Sequence, residues 1–154
     1  MSALLLATLL SAAVQLHCDL PGGDLSNSAQ ASPEACASVC AAEAGCKAWT
    51  FISGWNRCFL KAKLPKQAKL RIHAAQVDDD GKGGRKLGKV HEDHDDSGKD
   101  LRRVTKVKSA EACGQECLAE PQCQAIAFLD GYGDCWLKKS KGRTRPKVFS
   151  CGTR

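Results

Sequence analysis

The apolar pattern sets out two copies of one small unit. From Ala35 to Ala44 the chain is rich in Ala, a strong helix former. Ser32-Pro33-Glu34 stands just before it, a residue able to cap, a proline suited to the first helical position and an acid at the positive end of the dipole. These predict a helix from Pro33 to about Ala44, stopped by Gly45. Cys46 to Ile52 then alternates, with Trp49 and Phe51 to one side and Ala48 and Thr50 to the other, the period of a strand. Gly54-Trp55-Asn56-Arg57 reads as a hairpin loop into a second strand, Cys58 to Lys61. The pattern returns from Ser109, where Ile126 replaces Trp49, Phe128 matches Phe51 and Gly131-Tyr132-Gly133-Asp134 forms the loop. Lys69 to Val77 and Lys147 to Cys151 are the expected closing strands.

The cysteines make the repeat unambiguous. Both copies read C-x3-C-x5-C-x11-C without a gap, Cys36, Cys40, Cys46 and Cys58 recurring 77 residues later as Cys113, Cys117, Cys123 and Cys135. An internal repeat decides the architecture first. The 154 residues divide into residues 1–13 as a leader, 14–77 as one module, 78–93 as a charged, Gly-rich linker and 94–154 as a second module. A module that small buries too little surface to be stable unaided, and cysteine bridges supply the difference.

Ten cysteines point to an oxidising compartment. Ala3 to Val14 is almost wholly apolar, and Ser11-Ala12-Ala13 has the small residues of a cleavage site, so residues 1–13 read as a signal peptide and the protein as secreted. That run is too short to span a bilayer. Leu16-His17-Cys18 is not a lipobox, because no small residue precedes the cysteine.

Within each helix the two cysteines lie one turn apart, about 5–6 Å between Cβ atoms, whereas a disulfide needs about 3.5–4.5 Å. Each therefore pairs outside the helix. Cys40 can reach Cys46 just beyond the helix end and Cys36 can reach Cys58, with Cys117–Cys123 and Cys113–Cys135 as the counterparts, although the crossed arrangement stays open. On the loop-entropy model the longer bridge contributes roughly 3 kcal/mol and the shorter about 2. A four-thiolate zinc site is the competing reading. The spacing lacks the C-x2-C knuckles of such sites, so no metal is expected.

These residues resemble the PAN/Apple module: a helix carrying C-x3-C, a third cysteine followed by an aromatic strand (Cys46-Lys-Ala-Trp-Thr-Phe51), and a strand of the form Cys-aromatic-Leu-Lys, here Cys58-Phe-Leu-Lys61 and Cys135-Trp-Leu-Lys138. Asp19-Leu-Pro-Gly-Gly-Asp24-Leu25 and Ser97-Gly-Lys-Asp100-Leu101 are similar to the family's opening strands. The resemblance implies an α+β fold of two disulfide-stapled modules, each an antiparallel sheet with one helix packed across it, and the pairing Cys36–Cys58, Cys40–Cys46, Cys113–Cys135 and Cys117–Cys123. The six-cysteine Apple form has a further bridge between its first and last strands. Here the first copy has Cys18 but Ala74 at the closing position, and the second has Cys151 but His94 at the opening one. The expectation is a Cys18–Cys151 bridge clasping the two modules, against the alternatives of free thiols or pairing between chains.

Charge adds a direction. Residues 14–76 carry +3, residues 77–100 carry −3 and residues 101–154 carry +6 of the net +6. The second module is the basic one and favours an acidic partner. The histidines, His17, His73, His91 and His94, form no triad, and neither Gly-x-Ser-x-Gly nor His-Glu-x-x-His occurs. The chain reads as non-catalytic and without cofactor. His91-Glu-Asp-His94-Asp-Asp fits no standard metal spacing. Nucleic-acid motifs are absent.

The candidate ligand residues are Trp55 and Tyr132 at equivalent hairpin tips, Phe59, Lys61, Trp136 and Lys138 on the outward side of the Cys-aromatic-Leu-Lys strands, and the basic run Lys139, Lys141, Arg143 and Arg145, which continues to Lys147. Aromatic faces beside cations suit sugar rings bearing carboxylate or sulfate. The bland alternative is that the aromatics fold back onto a second small cluster. The family resemblance implies carbohydrate or extracellular protein ligands. The expected function is recognition or adhesion, with a structural protein–protein assembly module, or a regulatory fragment of a secreted serine protease system, as the alternatives.

Overall fold

The structure, a computed structural model, describes residues 13–154. The leader expected over residues 1–13 therefore lies outside the described residues except for Ala13. In chain order the elements are β1 (Gln15–Leu16), β2 (Cys18–Asp19), β3 (Asp24–Ala29), α1 (Pro33–Ala42), β4 (Ala48–Ile52), β5 (Arg57–Lys61), β6 (Ala68–Lys69), β7 (Ile72–Asp79), β8 (Arg85–Leu87), β9 (His91–Glu92), β10 (His94–Asp96), β11 (Asp100–Val104), α2 (Ala110–Leu118), β12 (Ala125–Leu129), β13 (Asp134–Lys138), β14 (Thr144–Pro146) and β15 (Phe149–Thr153). The fold is α+β, and the strand pairs are antiparallel.

Both helices start where a serine can cap them. Ser32 Oγ accepts the Ala35 amide at 3.1 Å, and Ser109 Oγ accepts that of Ala112 at 3.0 Å. Each cap satisfies an amide the first turn leaves unpaired. Helix α1 stops at Ala42, two residues before the expected Ala44, because Glu43 is already extended. The early stop brings Cys46 back to Cys40, their Cα atoms 5.3 Å apart in a disulfide. The helix's other buried cysteine, Cys36, bridges to Cys58 on β5. Helix α2 repeats both links, Cys117–Cys123 and Cys113–Cys135. Trp49, Phe51 and Leu60 pack with the first set of cysteines, and Ile126, Phe128 and Leu137 with the second.

The closing strands are exchanged. β7 follows the first copy but pairs with β12 of the second, Ala74 facing Ala127 and Gln76 facing Ala125. β15 follows the second copy but pairs with β4 of the first, Cys151 facing Thr50 and Thr153 facing Ala48. One sheet runs β1-β15-β4-β5-β3 and the other β11-β13-β12-β7-β8, with β9 also on β7. The divisions at residues 77 and 94 thus follow the repeat in sequence but not the sheets. Alternation along β7 reads the same whichever sheet receives it, so the sequence pattern is silent on its destination.

The stretch 78–93 is also more than a connector. β8 pairs with β7 through Val77–Leu87, Asp78–Lys86 and Asp79–Arg85, and β9 continues the pairing. Gly81 and Gly83 take positive φ in the turn, a conformation glycine adopts at little cost. Asp80 accepts the amides of Lys82 and Gly84, and these bonds hold its carboxyl below the usual carboxylate range. Leu87 lies against α2 at Gly114, where a side chain would collide with it.

The exchange gives the Cys18–Cys151 disulfide its meaning. β15 belongs structurally to the first sheet, so the bridge joins the first and last strands of one half. The two substituted positions fall together in the other half: Ala74 lies on β7, and His94 faces Pro146 as Cys18 faces Lys69. That half is closed by polar contacts instead. Asp96 is fully buried and accepts Gln76 Nε2 from β7 at 2.8 Å, with the amides of Gly98 and Gly142 at 2.7 and 2.8 Å.

The two halves meet over Ile52, Leu70, Ile72 and Phe149, with Phe59 and Leu129 packed alongside. Repeat-equivalent residues stand on either side of this contact. His17 and Asp93 face each other, Nδ1 to Oδ1 3.3 Å, both in the left-handed backbone region.

Two outcomes follow. Proteolytic nicking at the Gly81–Gly84 turn of a Cys18→Ser/Cys151→Ser chain leaves two fragments that still elute together in native size exclusion, because each holds a strand of the other's sheet; separation without denaturant would contradict the exchange. Asp96→Ala strands the Gln76, Gly98 and Gly142 donors and lowers stability by about 2–4 kcal/mol in denaturant unfolding. A change near zero would mean that the carboxylate is dispensable for closure.

Candidate binding cleft

The hairpin between β4 and β5 carries Trp55 to the surface, 60% exposed. Gly54 lets it come close to the other half: its φ is +82, and a Cβ there would stand 2.7 Å from the Pro146 carbonyl. The Lys147 ammonium sits 3.6 Å from the centre of the Trp55 ring and 2.9 Å from an Asp95 carboxylate oxygen. Lys147 is largely buried, and burial lowers its pKa against the opposing pull of Asp95. Its charge is shared between an acid and an aromatic face.

Opposite Trp55 stands Trp136 on β13, half-buried, with the Arg103 guanidinium 5.5 Å from its ring centre. The two indoles, one from each copy of the repeat, line a cleft of about 280 Å³. Ile72, Leu129 and Phe149 give it an apolar lining, and the ion pairs Lys147–Asp95 and Lys138–Asp100 a polar one. A recess of about 120 Å³ adjoins it, between Trp55 and Lys147 on one side and Ser97, Arg143 and Arg145 on the other.

The expected ligand residues are placed unequally. Trp55, Trp136 and Lys138 line the cleft, and Arg143 and Arg145 line the recess. Lys139 and Lys141 are exposed nearby on the loop before β14. Among the described residues none of these four cations of the basic run forms an ion pair. Phe59, Lys61 and Tyr132 lie around the repeat-equivalent position instead. Phe59 packs against the cluster between the halves, with the Lys61 ammonium 5.8 Å from its ring centre. Tyr132 donates its phenol proton to Asp19.

Lys61 and Lys138 do not stand free in solvent as alternation suggested. They are 4% and 8% exposed, paired with Asp24 and Asp100. The outward side of each strand is covered by the opposite half, and a buried ammonium needs a carboxylate partner. The signal was present in the sequence: an acid opening β3 and β11 and a lysine closing β5 and β13 recur together. Asp95 and Asp100 were not among the expected site residues, and Lys147 was expected only as one cation of the basic run. Asp95 reads in sequence as part of an acidic, His-containing run.

That run is divided among neighbours. Asp93 meets His17 and Arg71, Asp95 meets Lys147 and Asp96 takes amides. Among the described residues no group of three or more His, Cys, Asp or Glu is placed to hold a metal ion. Three larger hollows lack the aromatic pair of the cleft, one of them a hollow of about 380 Å³ at the 78–86 turn lined by Asp78, Asp79, Asp80, Arg85 and Lys86. Another of about 600 Å³ is bordered by Leu20, Leu64 and Pro65, and one of about 540 Å³ by His17, Arg71 and Asp130, whose polar groups already bond one another or close neighbours. No described helix is long and apolar enough to cross a membrane.

A family model for the PAN domain matches residues 18–61 and 94–138, more than half of the chain. Both matches end with the Cys-aromatic-Leu-Lys strands and leave out the exchanged strands β7 and β15. No curated protein matches the chain. The PAN domain is a binding module for proteins or carbohydrates. With two matched segments, five disulfides and a helix across each of two antiparallel sheets, the chain belongs to the PAN domain family as a tandem pair.

Proposed function

We propose that this is a secreted, non-catalytic recognition protein that binds carbohydrate, and an acidic glycan in particular, between Trp55 and Trp136. The observation that carries the reading is the pairing of two indoles across an apolar hollow beside two unpaired arginines. An indole face stacks on the C–H face of a pyranose ring. The carboxylates of Asp95 and Asp100 accept hydroxyl protons, and the lysine ammoniums donate to ring and hydroxyl oxygens. Arg143 and Arg145 offer forked donors to a sulfate or uronate on the same or the next sugar. Secretion is supported by the apolar leader and by ten cysteines all in disulfides.

A second reading, a protein–protein assembly module, is favoured by one observation. Leu16 and Leu64 are exposed at the rims of the 540 and 600 Å³ hollows. It predicts oligomers or a protein partner, and indifference to glycans.

The test is retention of the oxidised protein on immobilised heparin and on a neutral glucan, at low and high salt. Binding to the sulfated matrix is expected, weakening as salt rises. Trp55→Ala and Trp136→Ala each weaken binding about tenfold or more, on the scale of a lost stacking contact plus desolvation. Arg143→Ala/Arg145→Ala flattens the salt dependence more than it removes binding. Retention that ignores salt and all four substitutions would reject the glycan reading.

A further inference from the structure

The internal repeat gives the cleft a counterpart on the other side of the molecule, and the two can be compared residue by residue. Trp55 corresponds to Tyr132, Asp95 to Asp19, Lys147 to Leu70, and Trp136 to Phe59. The frame is the same on both sides: the Lys147 amide bonds the Asp93 carbonyl as the Leu70 amide bonds that of His17, each at 2.8 Å.

The contents differ. Leu70 is fully buried in the cluster between the halves, where Phe59 packs against it. Asp19 is half-buried and accepts the Tyr132 phenol proton, where Asp95 on the open side accepts from the Lys147 ammonium. The hairpin bearing Tyr132 is also pressed closer to the opposite half. A side chain at Gly131 would run into the Lys69 carbonyl, a tighter approach than that of Gly54 to Pro146. Tyr132 is correspondingly 36% exposed, against 60% for Trp55. The basic recess is reduced as well, with Lys66 and Ala68 standing where Arg143 and Arg145 line the open side.

We propose that the side around Tyr132 is a closed copy of the cleft, stoppered by Leu70 and latched by the Tyr132–Asp19 hydrogen bond, so that this duplicated chain binds one ligand rather than two. Lys147 is then the residue that decides which copy works. An ammonium there keeps the acid, the indole and the hollow beside them accessible, where leucine completes an apolar plug. The count of ligands rests on the function proposed above; the closure does not.

The phenol supplies a readout independent of ligand. Tyr132 is the only tyrosine in the chain. Burial, then the bond to Asp19 and the charges of Asp19 and Asp134, push its ionisation above the usual range, so little phenolate exists near neutral pH. Nitration by tetranitromethane at pH 8 is expected to run at least tenfold slower than for a free tyrosine amide, and to speed up several-fold in Asp19→Ala. A wild-type rate equal to that of the free amide would overturn the closure.

Calorimetry of the full oxidised chain with a heparin-derived tetrasaccharide should give one site per chain, and two sites would overturn the single valence. Trp55→Tyr/Lys147→Leu, which copies the closed side onto the open one, should lose at least tenfold in affinity with its thermal midpoint held; unchanged affinity would overturn the role given to Lys147. Slow nitration without any tetrasaccharide binding would sink the glycan reading while supporting the closure.

Discussion

Each half of this molecule is completed by a strand that the other half's sequence supplies. A small sheet with an open edge offers unpaired amides and carbonyls to any passing chain. β4 and β12 would each have such an edge beside them. Here β15 and β7 cover those edges, and β1, β8 and β9 in turn pair with the covering strands. The backbone bonds that finish one sheet are therefore also the bonds that hold the two halves together. Covalent chemistry then fixes what the exchange arranges. The helix-to-strand bridges anchor each helix over its own sheet, while Cys18–Cys151 closes a loop of more than a hundred residues. On the loop-entropy model that closure contributes about 5 kcal/mol, more than the shorter loops do.

The exchange also explains an asymmetry that is puzzling in sequence order. The first copy holds an opening cysteine without a closing one, and the second the reverse. Read along the chain, this suggests a tie between two separate modules. Placed in the sheets, Cys18 and Cys151 occupy one half, while His94 and Ala74 occupy the other. The second half lacks the pair together, and Asp96 with Gln76 performs the same closure through hydrogen bonds. The disulfide adds stability largely by restricting the unfolded chain. The Asp96 network acts only in the folded state, and only while each of its donors is in place.

What was legible in the sequence follows from range. The helix starts at Ser32 and Ser109 are local, set by three or four residues, and the cysteine intervals announce the repeat without any tertiary information. The hairpin tips and the Cys-aromatic-Leu-Lys strands are local in the same way. The partner of a strand is not. Nothing in Ile72 to Val77 distinguishes pairing with β4 from pairing with β12, because the side-chain alternation satisfies either core. The burial of Lys61 and Lys138 was hidden for the same reason. Alternation correctly sends them away from the helix, but it cannot reveal that the far side of the sheet meets a second half. The cleft itself joins residues 55, 95, 136 and 147, and no window of sequence contains them together.

The chemistry of the cleft follows from that meeting. A flat strand face offers a ligand one surface; two halves that meet beside a hollow offer two. Trp55 and Trp136 face the same hollow because one rides on the first copy's hairpin and the other on the second copy's strand, across the apolar contact of Ile72 and Phe149. Apolar residues alone there would continue the core, as Leu70 does on the opposite side. The two lysine–aspartate pairs prevent this. Each pair is neutral as a unit, which limits the cost of burial, yet both partners keep unused hydrogen-bonding capacity toward the hollow. A partner that is partly apolar and rich in hydroxyls can exploit both features at once, whereas a purely hydrophobic one would leave the paired charges without compensation. The two sides of the molecule thus differ less in carrying aromatic residues, which both possess, than in the exchange of leucine for lysine beneath them.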